Sequence, residues 1–417
     1  SSDLPTFQQR VLDDLDIAPI ANRYLEQCSG GELQRFAIAL ILLQKADVYL
    51  IDEPCTFLDV KKRIKLAELL QDRSKGLSSS EKEEYAILVV EHDLAILDYI
   101  SDAVHLFYGR PHEFGVLTRV QSTKAGINAY LDGYLKSENI QFRKKKIGFR
   151  HTVANRSWEG AKTFVQFPAL TKSFDGFRLK ILPGTIFEGE ILGIVGENGL
   201  GKSTFAKLLV GEVESDQGDP ITDREIFVAY KPQYIVKEIA GTVKDFLMDR
   251  SENFDFSDSM VQILYAPMGV DGLFEKKVVD LSGGELQRVY ICACLATRAN
   301  LYILDEPSAY LDVEERLHIG GVIRSMTKHS NATTICIEHD IQIADALADR
   351  LMIFHGTPGV LGETIGPLTK HAGMNAFLKI LDITFRRDED TGRAKINKKG
   401  SSVDKRQRSE NEYFYSK

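Results

Sequence analysis

Gly196-Glu197-Asn198-Gly199-Leu200-Gly201-Lys202-Ser203 is the stretch on which the fold turns. It fits the pattern GxxxxGK[ST], in which successive backbone N–H groups and a helix N-terminus surround a phosphate. The pattern carries that meaning only between a strand and a helix. Residues 190–195 form a short apolar run that reads as a buried strand, and Phe205, Leu208 and Leu209 recur at helical spacing from about Lys202. Lys202 is expected to reach the β- and γ-phosphates of a nucleotide, and the Ser203 hydroxyl to coordinate Mg2+.

Outward from this loop, the chain repeats itself. Ser-Gly-Gly-Glu-Leu-Gln-Arg occurs at 29–35 and, letter for letter, at 282–288. At the same offset Asp52-Glu53-Pro54 matches Asp305-Glu306-Pro307, and Leu58-Asp59 matches Leu311-Asp312. Glu91-His92-Asp93 matches Glu338-His339-Asp340 after a change of offset that falls in the polar stretch 71–85, where a surface loop tolerates insertion. Gly109, Pro111, Gly126, Asn128 and Leu131 then align with Gly356, Pro358, Gly373, Asn375 and Leu378. This is a tandem duplication with a period of about one domain. The first copy's phosphate loop would precede residue 1, and the chain opens Ser-Ser-Asp-Leu without a methionine. A truncated first domain in a fragment or processed product is therefore expected.

Apolar runs at 48–51 and 301–304 end in Asp-Glu, and runs at 87–90 and 334–337 end in Glu-His-Asp. Read as buried parallel strands, they carry their polar residues at the C-terminal ends, where ligands of α/β sheets bind. An α/β nucleotide-binding architecture is expected in both copies. Composition agrees: the 417 residues are 43% hydrophobic and 27% charged, which argues against a disordered or fibrous chain. The longest apolar run, 36–43, falls far short of the ~20 residues of a membrane-spanning helix. No secretory signal opens the chain. Cys28, Cys55, Cys292, Cys294 and Cys336 form no CxxC pair and are expected to be reduced thiols of a cytoplasmic protein. A net charge of −8 argues against wholesale coating of nucleic acid but permits local basic patches.

Asp305, at a strand end, is expected to bind Mg2+ directly or through water, with Glu306 as general base for the attacking water. His339 either donates to the γ-phosphate or holds that water. Gln233, in Tyr-Lys-Pro-Gln after an expected strand at 226–230, is a candidate for a Mg2+ or water contact. Their repetition at Asp52, Glu53 and His92 favours function over simple helix capping.

The order of these motifs resembles the ABC-type ATPases over both halves of the chain. In that family the Ser-Gly-Gly signature of one domain closes over nucleotide held by the other domain's phosphate loop. The resemblance therefore implies one complete site. It draws Gly196, Glu197, Asn198, Gly199, Leu200, Gly201, Lys202, Ser203, Thr204, Gln233, Asp305, Glu306 and His339 from the second domain. Ser29, Gly30, Gly31, Glu32 and Asp59 come from the first. A reciprocal half-site would use Ser282, Gly283, Gly284, Glu285 and Asp312 with Asp52, Glu53 and His92. Cys28 stands where the family has a leucine, as Leu281 does in the second copy, and is apolar enough to pack alike. An aromatic ring upstream of the loop should stack on adenine; Phe167 is the candidate, with core packing as the alternative.

The segment Gly126-Ile127-Asn128-Ala129-Tyr130-Leu131-Asp132-Gly133-Tyr134 and the C-terminal Ile383-Thr384-Phe385-Arg386-Arg387 resemble the hinge segments of subfamily E, the RNase L inhibitor or ribosome-recycling ATPases. This implies the C-terminal part of a first nucleotide-binding domain at 1–110, a hinge at 111–150, a second such domain at 151–370 and a hinge segment with tail at 371–417. It also implies ATP and Mg2+ as cofactors, and iron–sulfur clusters only in an N-terminal domain outside this chain. The implied partners are ribosomal subunits (rRNA and ribosomal proteins), a release factor or Pelota-type factor, and initiation factors, with no membrane. Arg143-Lys144-Lys145-Lys146, and residues 385–417 with ten Lys/Arg against six Asp/Glu, would meet rRNA phosphates. The rival readings are a subfamily F translation factor, a transporter's ATPase component, and a clamp that works by ATP binding alone.

Overall fold

A computed structural model describes residues 6–75, 85–110, 113–148, 158–219, 225–237, 239–249, 256–388 and 390–414. Pro111 and most of the expected insertion within 71–85 lie outside the described residues. The chain divides into two units, one of 1–149 with 383–411 and 415–417, the other of 150–382 with 412–414.

The first unit runs α1 (Gly30–Leu43), β1 (Val48–Asp52), α2 (Val60–Ser74), β2 (Ala86–Val90) and α3 (Leu94–Ile100). β1 and β2 pair in parallel from Val48↔Ala86 to Asp52↔Val90, which sets Asp52-Glu53 and Glu91-His92 side by side at one edge. The helices bury their apolar stripes, Ile38, Ala39 and Leu42 on α1 and Leu66, Ala67, Leu69 and Leu70 on α2. No further strand pairs with β1 or β2 among the described residues. Leu50 and Leu88 are accordingly 71% and 58% exposed, whereas their repeats Ile303 and Ile335 are buried. A hairpin of β3 (Phe107–Arg110) and β4 (Phe114–Leu117) follows, then α4 (Thr123–Asp132). Gly133 ends α4 at φ +70, where a Cβ would sit 2.7 Å from Arg143 O. The Arg143 guanidinium donates to Tyr130 O and Leu131 O, so this member of the basic run holds α4 instead of facing a partner.

The second unit is built on an eight-stranded sheet. Its strands are β5 (Leu170–Phe174), β6 (Phe177–Ile181), β7 (Ile191–Gly196), β8 (Val228–Lys231), β9 (Leu301–Asp305), β10 (Thr333–Ile337), β11 (Arg350–Thr357) and β12 (Leu361–Thr369). The order is β5-β6-β12-β11-β7-β10-β9-β8, with β8, β9, β10, β7 and β11 parallel. Its helices include α5 (Lys202–Leu209), α6 (Gly283–Ala296), α7 (Val313–His329), α8 (Ile341–Leu347) and α9 (Lys370–Ile380). Strands buried on both faces read as unbroken apolar runs, which is why β7, β9 and β10 were legible without alternation. The register places Gly196, Asp305 and Glu338 together at the C-terminal edge.

Residues 383–411 follow the second unit in sequence yet group with the first. They form an antiparallel pair, β13 (Phe385–Arg387) and β14 (Ala394–Ile396), and α10 (Ser402–Ser409). The stretch 371–417 is thus shared, its first residues continuing α9 of the second unit. Among the described residues no helix is long and apolar enough to cross a membrane.

Candidate functional site

The phosphate loop leaves β7 through Gly196 at φ +149, and Gly199 and Gly201 adopt φ +74 and +90. A Cβ on Gly196 would lie 2.4 Å from Phe354 O, so any larger residue would push the loop off the sheet. Leu200 buries its side chain in the core and leaves only its backbone for the loop. Lys202 opens α5 and curls back, its Nζ donating to Gly196 O and Glu197 O at 2.9 Å and to Asn198 Oδ1 at 3.4 Å. Thr204 is half-buried one residue beyond Ser203. Glycine-shaped backbone, a helix N-terminus and an ammonium group therefore converge on one concavity.

Ser203 Oγ donates to Asp305 Oδ2 at 2.8 Å, so the hydroxyl and carboxylate expected to share Mg2+ are adjacent. Burial pushes the Asp305 carboxyl up, and the Ser203 hydrogen bond pulls against that. Glu306 follows at φ +48, a strained conformation for a side chain of this size. Its Oε1 accepts from Gln233 Nε2 at 2.7 Å and stands 2.8 Å from His339 Nε2. Burial would raise this carboxyl, but the His339 charge, with Lys202 and Lys231, more than offsets it and brings Glu306 down to about 2. Among the described residues the buried His339 Nδ1 has no hydrogen-bond partner, a polar atom left over for a ligand. The group fits a nucleotide triphosphate with Mg2+: Ser203 and Asp305 for the metal, the loop and Lys202 for the phosphates, and Glu306 with Gln233 and His339 for water.

The first unit repeats part of this. Glu53 is at φ +44, and His92 Nε2 stands 3.1 Å from Glu53 Oε1. The signature serines cap helices. Ser29 Oγ accepts from Glu32 N at 3.3 Å on α1, and Ser282 Oγ from Glu285 N at 3.2 Å on α6; each glutamate returns a bond to the serine N–H. Each hydroxyl hydrogen is left free of the cap, fit to donate to an anion. Gly30 and Gly283 lie under the rings of Phe57 and Tyr310, and a Cβ on Gly31 would come 2.9 Å from Phe57 O. Gly284 is nearly as crowded, 3.1 Å from Tyr310 O. Asp59 and Asp312 cap α2 and α7, accepting from Lys62 N at 3.0 Å and Glu315 N at 2.8 Å. Capping accounts for both residues locally.

Phe167 is a correction. It is 1% exposed and packs edge-on against Phe205 in the core, so its ring offers no face to a base. An exposed aromatic on the neighbouring hairpin is Phe174, 47% exposed at the β5–β6 turn. That hairpin flanks the phosphate loop, since Phe177 would meet a Cβ on Gly201 at 3.1 Å. Sequence reading also missed Lys231 and Gln287. Lys231 Nζ donates to Asp305 O at 2.7 Å and Glu306 O at 3.2 Å, and Gln287 Nε2 to Glu306 O at 2.7 Å. Burial lowers Lys231 to about 8 against the pull of the Asp305, Glu306 and Glu338 side-chain charges. Gln287 was findable, because it belongs to the repeated string and Gln34 in the first copy reaches Glu53 O at 3.3 Å.

The family model for ABC transporters matches residues 6–56 and 179–309. An uncharacterized ABC transporter ATP-binding protein of Methanocaldococcus jannaschii is 42% identical over 97% of the chain and 65% of its own length. Translation initiation factor RLI1 of Saccharomyces cerevisiae is 38% identical over 99% of the chain and 66% of its own. ABC transporter E family member 1 of Arabidopsis thaliana is 37% identical over 98% and 67%. Among solved structures, an RNase-L inhibitor superposes with TM-score 0.87 at 43% identity, covering 99% of this chain and 78% of that one. ABCE1 in a ribosome-bound archaeal Pelota and ABCE1 assembly gives 0.89 at 44% identity, over 98% and 67%. The chain spans 65% of the length of the first of these curated relatives.

Proposed function

Because the chain belongs to the E family of ABC proteins, we propose that its second unit binds and hydrolyses ATP and that this drives the splitting and recycling of ribosomes. The cluster of Glu306, Gln233 and His339 just beyond the Ser203–Asp305 pair is the observation that carries this reading. In it, loop N–H groups and Lys202 bind the phosphates, and Phe174 supplies the stacking face for the base. Ser203 and Asp305 would hold Mg2+, with Gln233 a candidate for a metal or water contact, and the metal would supply charge neutralisation on the phosphates. Glu306 accepts the proton of the attacking water, while His339 turns to the phosphate or steadies that water. The His339 charge holds Glu306 below its ordinary range, and the negative charge of bound phosphates would raise it toward the range a general base needs. Ser29, Gly30, Gly31, Glu32 and Asp59 complete the nucleotide site on closure; Ser282, Gly283, Gly284, Glu285 and Asp312 serve the reciprocal half-site with Asp52, Glu53 and His92.

The partners proposed are ribosomal subunits, a release factor or Pelota-type factor, and initiation factors, in the cytoplasm. One relative is named a translation initiation factor, and a solved relative sits on the ribosome with Pelota. Two variants test the reading. Lys202→Ala should lose ATP binding, and unchanged ATP affinity would refute the site. Glu306→Gln should bind ATP but hydrolyse it at least ~100-fold more slowly, as loss of a general base does. If splitting needs only binding, that variant splits subunits once and stays locked; if it needs turnover, it splits none.

A further inference from the structure

Glu338 closes β10 one residue before His339 and is 3% exposed. Its backbone N–H donates to Ile194 O of β7 at 3.0 Å. Its carboxylate reaches across to the turn that follows β9. There Ser308 N donates to Oε1 at 3.1 Å and Ser308 Oγ to Oε2 at 2.8 Å. Ser308, two residues past Glu306, is buried as well. Both carboxylate oxygens are thus directed at one residue, in surroundings where burial pushes Glu338 up to about 7 against the pull of the Ser308 hydrogen bonds. A buried carboxylate is costly to keep, and nothing in the phosphate chemistry calls for this one.

We propose that Glu338 and Ser308 form a positioning latch, which fixes the turn bearing Glu306 against the strand end bearing His339. The latch rests on the ATPase reading and deepens it, since what it sets is the 2.8 Å approach of His339 Nε2 to Glu306 Oε1. The duplication supplies an internal comparison. In the first unit Cys55 stands at the position of Ser308, and a thiol is a weak donor. Glu91, the repeat of Glu338, accepts from its own neighbours His92 N and Asp93 N at 2.9 and 3.0 Å, and the residue facing it is the buried Cys55 thiol. The Glu53–His92 approach there is 3.1 Å. One chain therefore holds a pair latched by two Ser308 bonds and a pair with only a thiol at that position.

Steady-state hydrolysis decides the matter. Ser308→Ala and Glu338→Ala should each lower kcat for ATP about tenfold while KM stays within about twofold, as misplacement of a reacting group does. The double variant should be no slower than either single, because one latch is lost once. Glu338→Gln keeps an acceptor for Ser308 N and a donor for Ser308 Oγ, and should stay within about threefold of the parent protein. Wild-type kcat in Ser308→Ala, or equal loss of kcat and ATP affinity, overturns the latch; Ser308→Ala also decides if Glu338→Ala fails to fold. Absence of ATP turnover in the parent protein would refute the functional reading instead. The latch is then read from the His339 ring signals in NMR, which should shift in Ser308→Ala but not in Glu338→Gln. Signals indifferent to Ser308→Ala would refute it.

Discussion

Glu306 is held near 2 by the His339 charge and two lysines, against an ordinary value of 4.5, although burial alone would move it the other way. A carboxyl lowered in the folded state contributes stability above its ordinary value and loses that contribution as pH falls through its folded value. Glu306→Gln should therefore lower the denaturant midpoint of the nucleotide-free protein at neutral pH. The deficit should shrink as pH drops from about 4.5 toward about 2. Measured between pH 3 and 7, a deficit that is constant or grows in acid would show that the His339 pairing does not stabilise the fold. The motif residues around Glu306 were legible because each is fixed by local backbone: a left-handed turn, a strand end, a helix cap. Phe167 and Phe174 were not separable in sequence. Both lie in aromatic-rich strand segments, and which one faces the core depends on Phe205, far along the chain. Lys231 was invisible for a similar reason, since a lysine in an apolar strand shows its burial only once β9 supplies the carbonyls.

The elements most securely read were those buried on two faces, β7, β9 and β10, whose observed bounds lie within about a residue of the apolar runs. The element least legible was the C-terminal hairpin. Its charged composition reads as a solvated tail, yet Arg393 is fully buried, its Nη2 3.3 Å from Asp98 Oδ2 and its Nη1 donating to Leu94 O at 3.2 Å. Asp98 also pairs with Lys395 at 2.9 Å. No local pattern announces a pairing between β14 and α3, because the partners are almost 300 positions apart in sequence. Removing Arg393 takes away one of the two cations on buried Asp98 and empties a fully buried side-chain site. Arg393→Ala should therefore cost about 3 kcal/mol in the unfolding of the first unit. A change below about 0.5 kcal/mol in urea titrations would mean that the hairpin is held by apolar contacts alone.

At the scale of the whole molecule, a net charge of −8 must coexist with the ribosome as proposed partner, so any contact with rRNA has to be local. Within the basic run, Arg143 is committed to α4, whereas Lys144, Lys145 and Lys146 are exposed. Lys146 makes a surface pair with Asp132 at 2.9 Å, worth little in water. Arg386 is exposed on β13, and Lys395, opposite it, is spent on Asp98. Lys144, Lys145 and Arg386 are thus among the exposed positive charges of the first unit, each able to neutralise about one phosphate and to release counterions on binding. Reversing Lys144, Lys145 and Arg386 to Glu should weaken co-sedimentation with small subunits at least tenfold at moderate salt and flatten its salt dependence. ATP turnover without ribosomes should remain within about twofold, since none of the three belongs to the phosphate loop or to the Glu306 cluster. Arg143→Glu should instead unfold the end of α4 and lower stability, which separates an electrostatic contact from a structural one. Unchanged co-sedimentation of the triple variant, with an unchanged salt slope, would mean that the small subunit is met through some other surface of the protein.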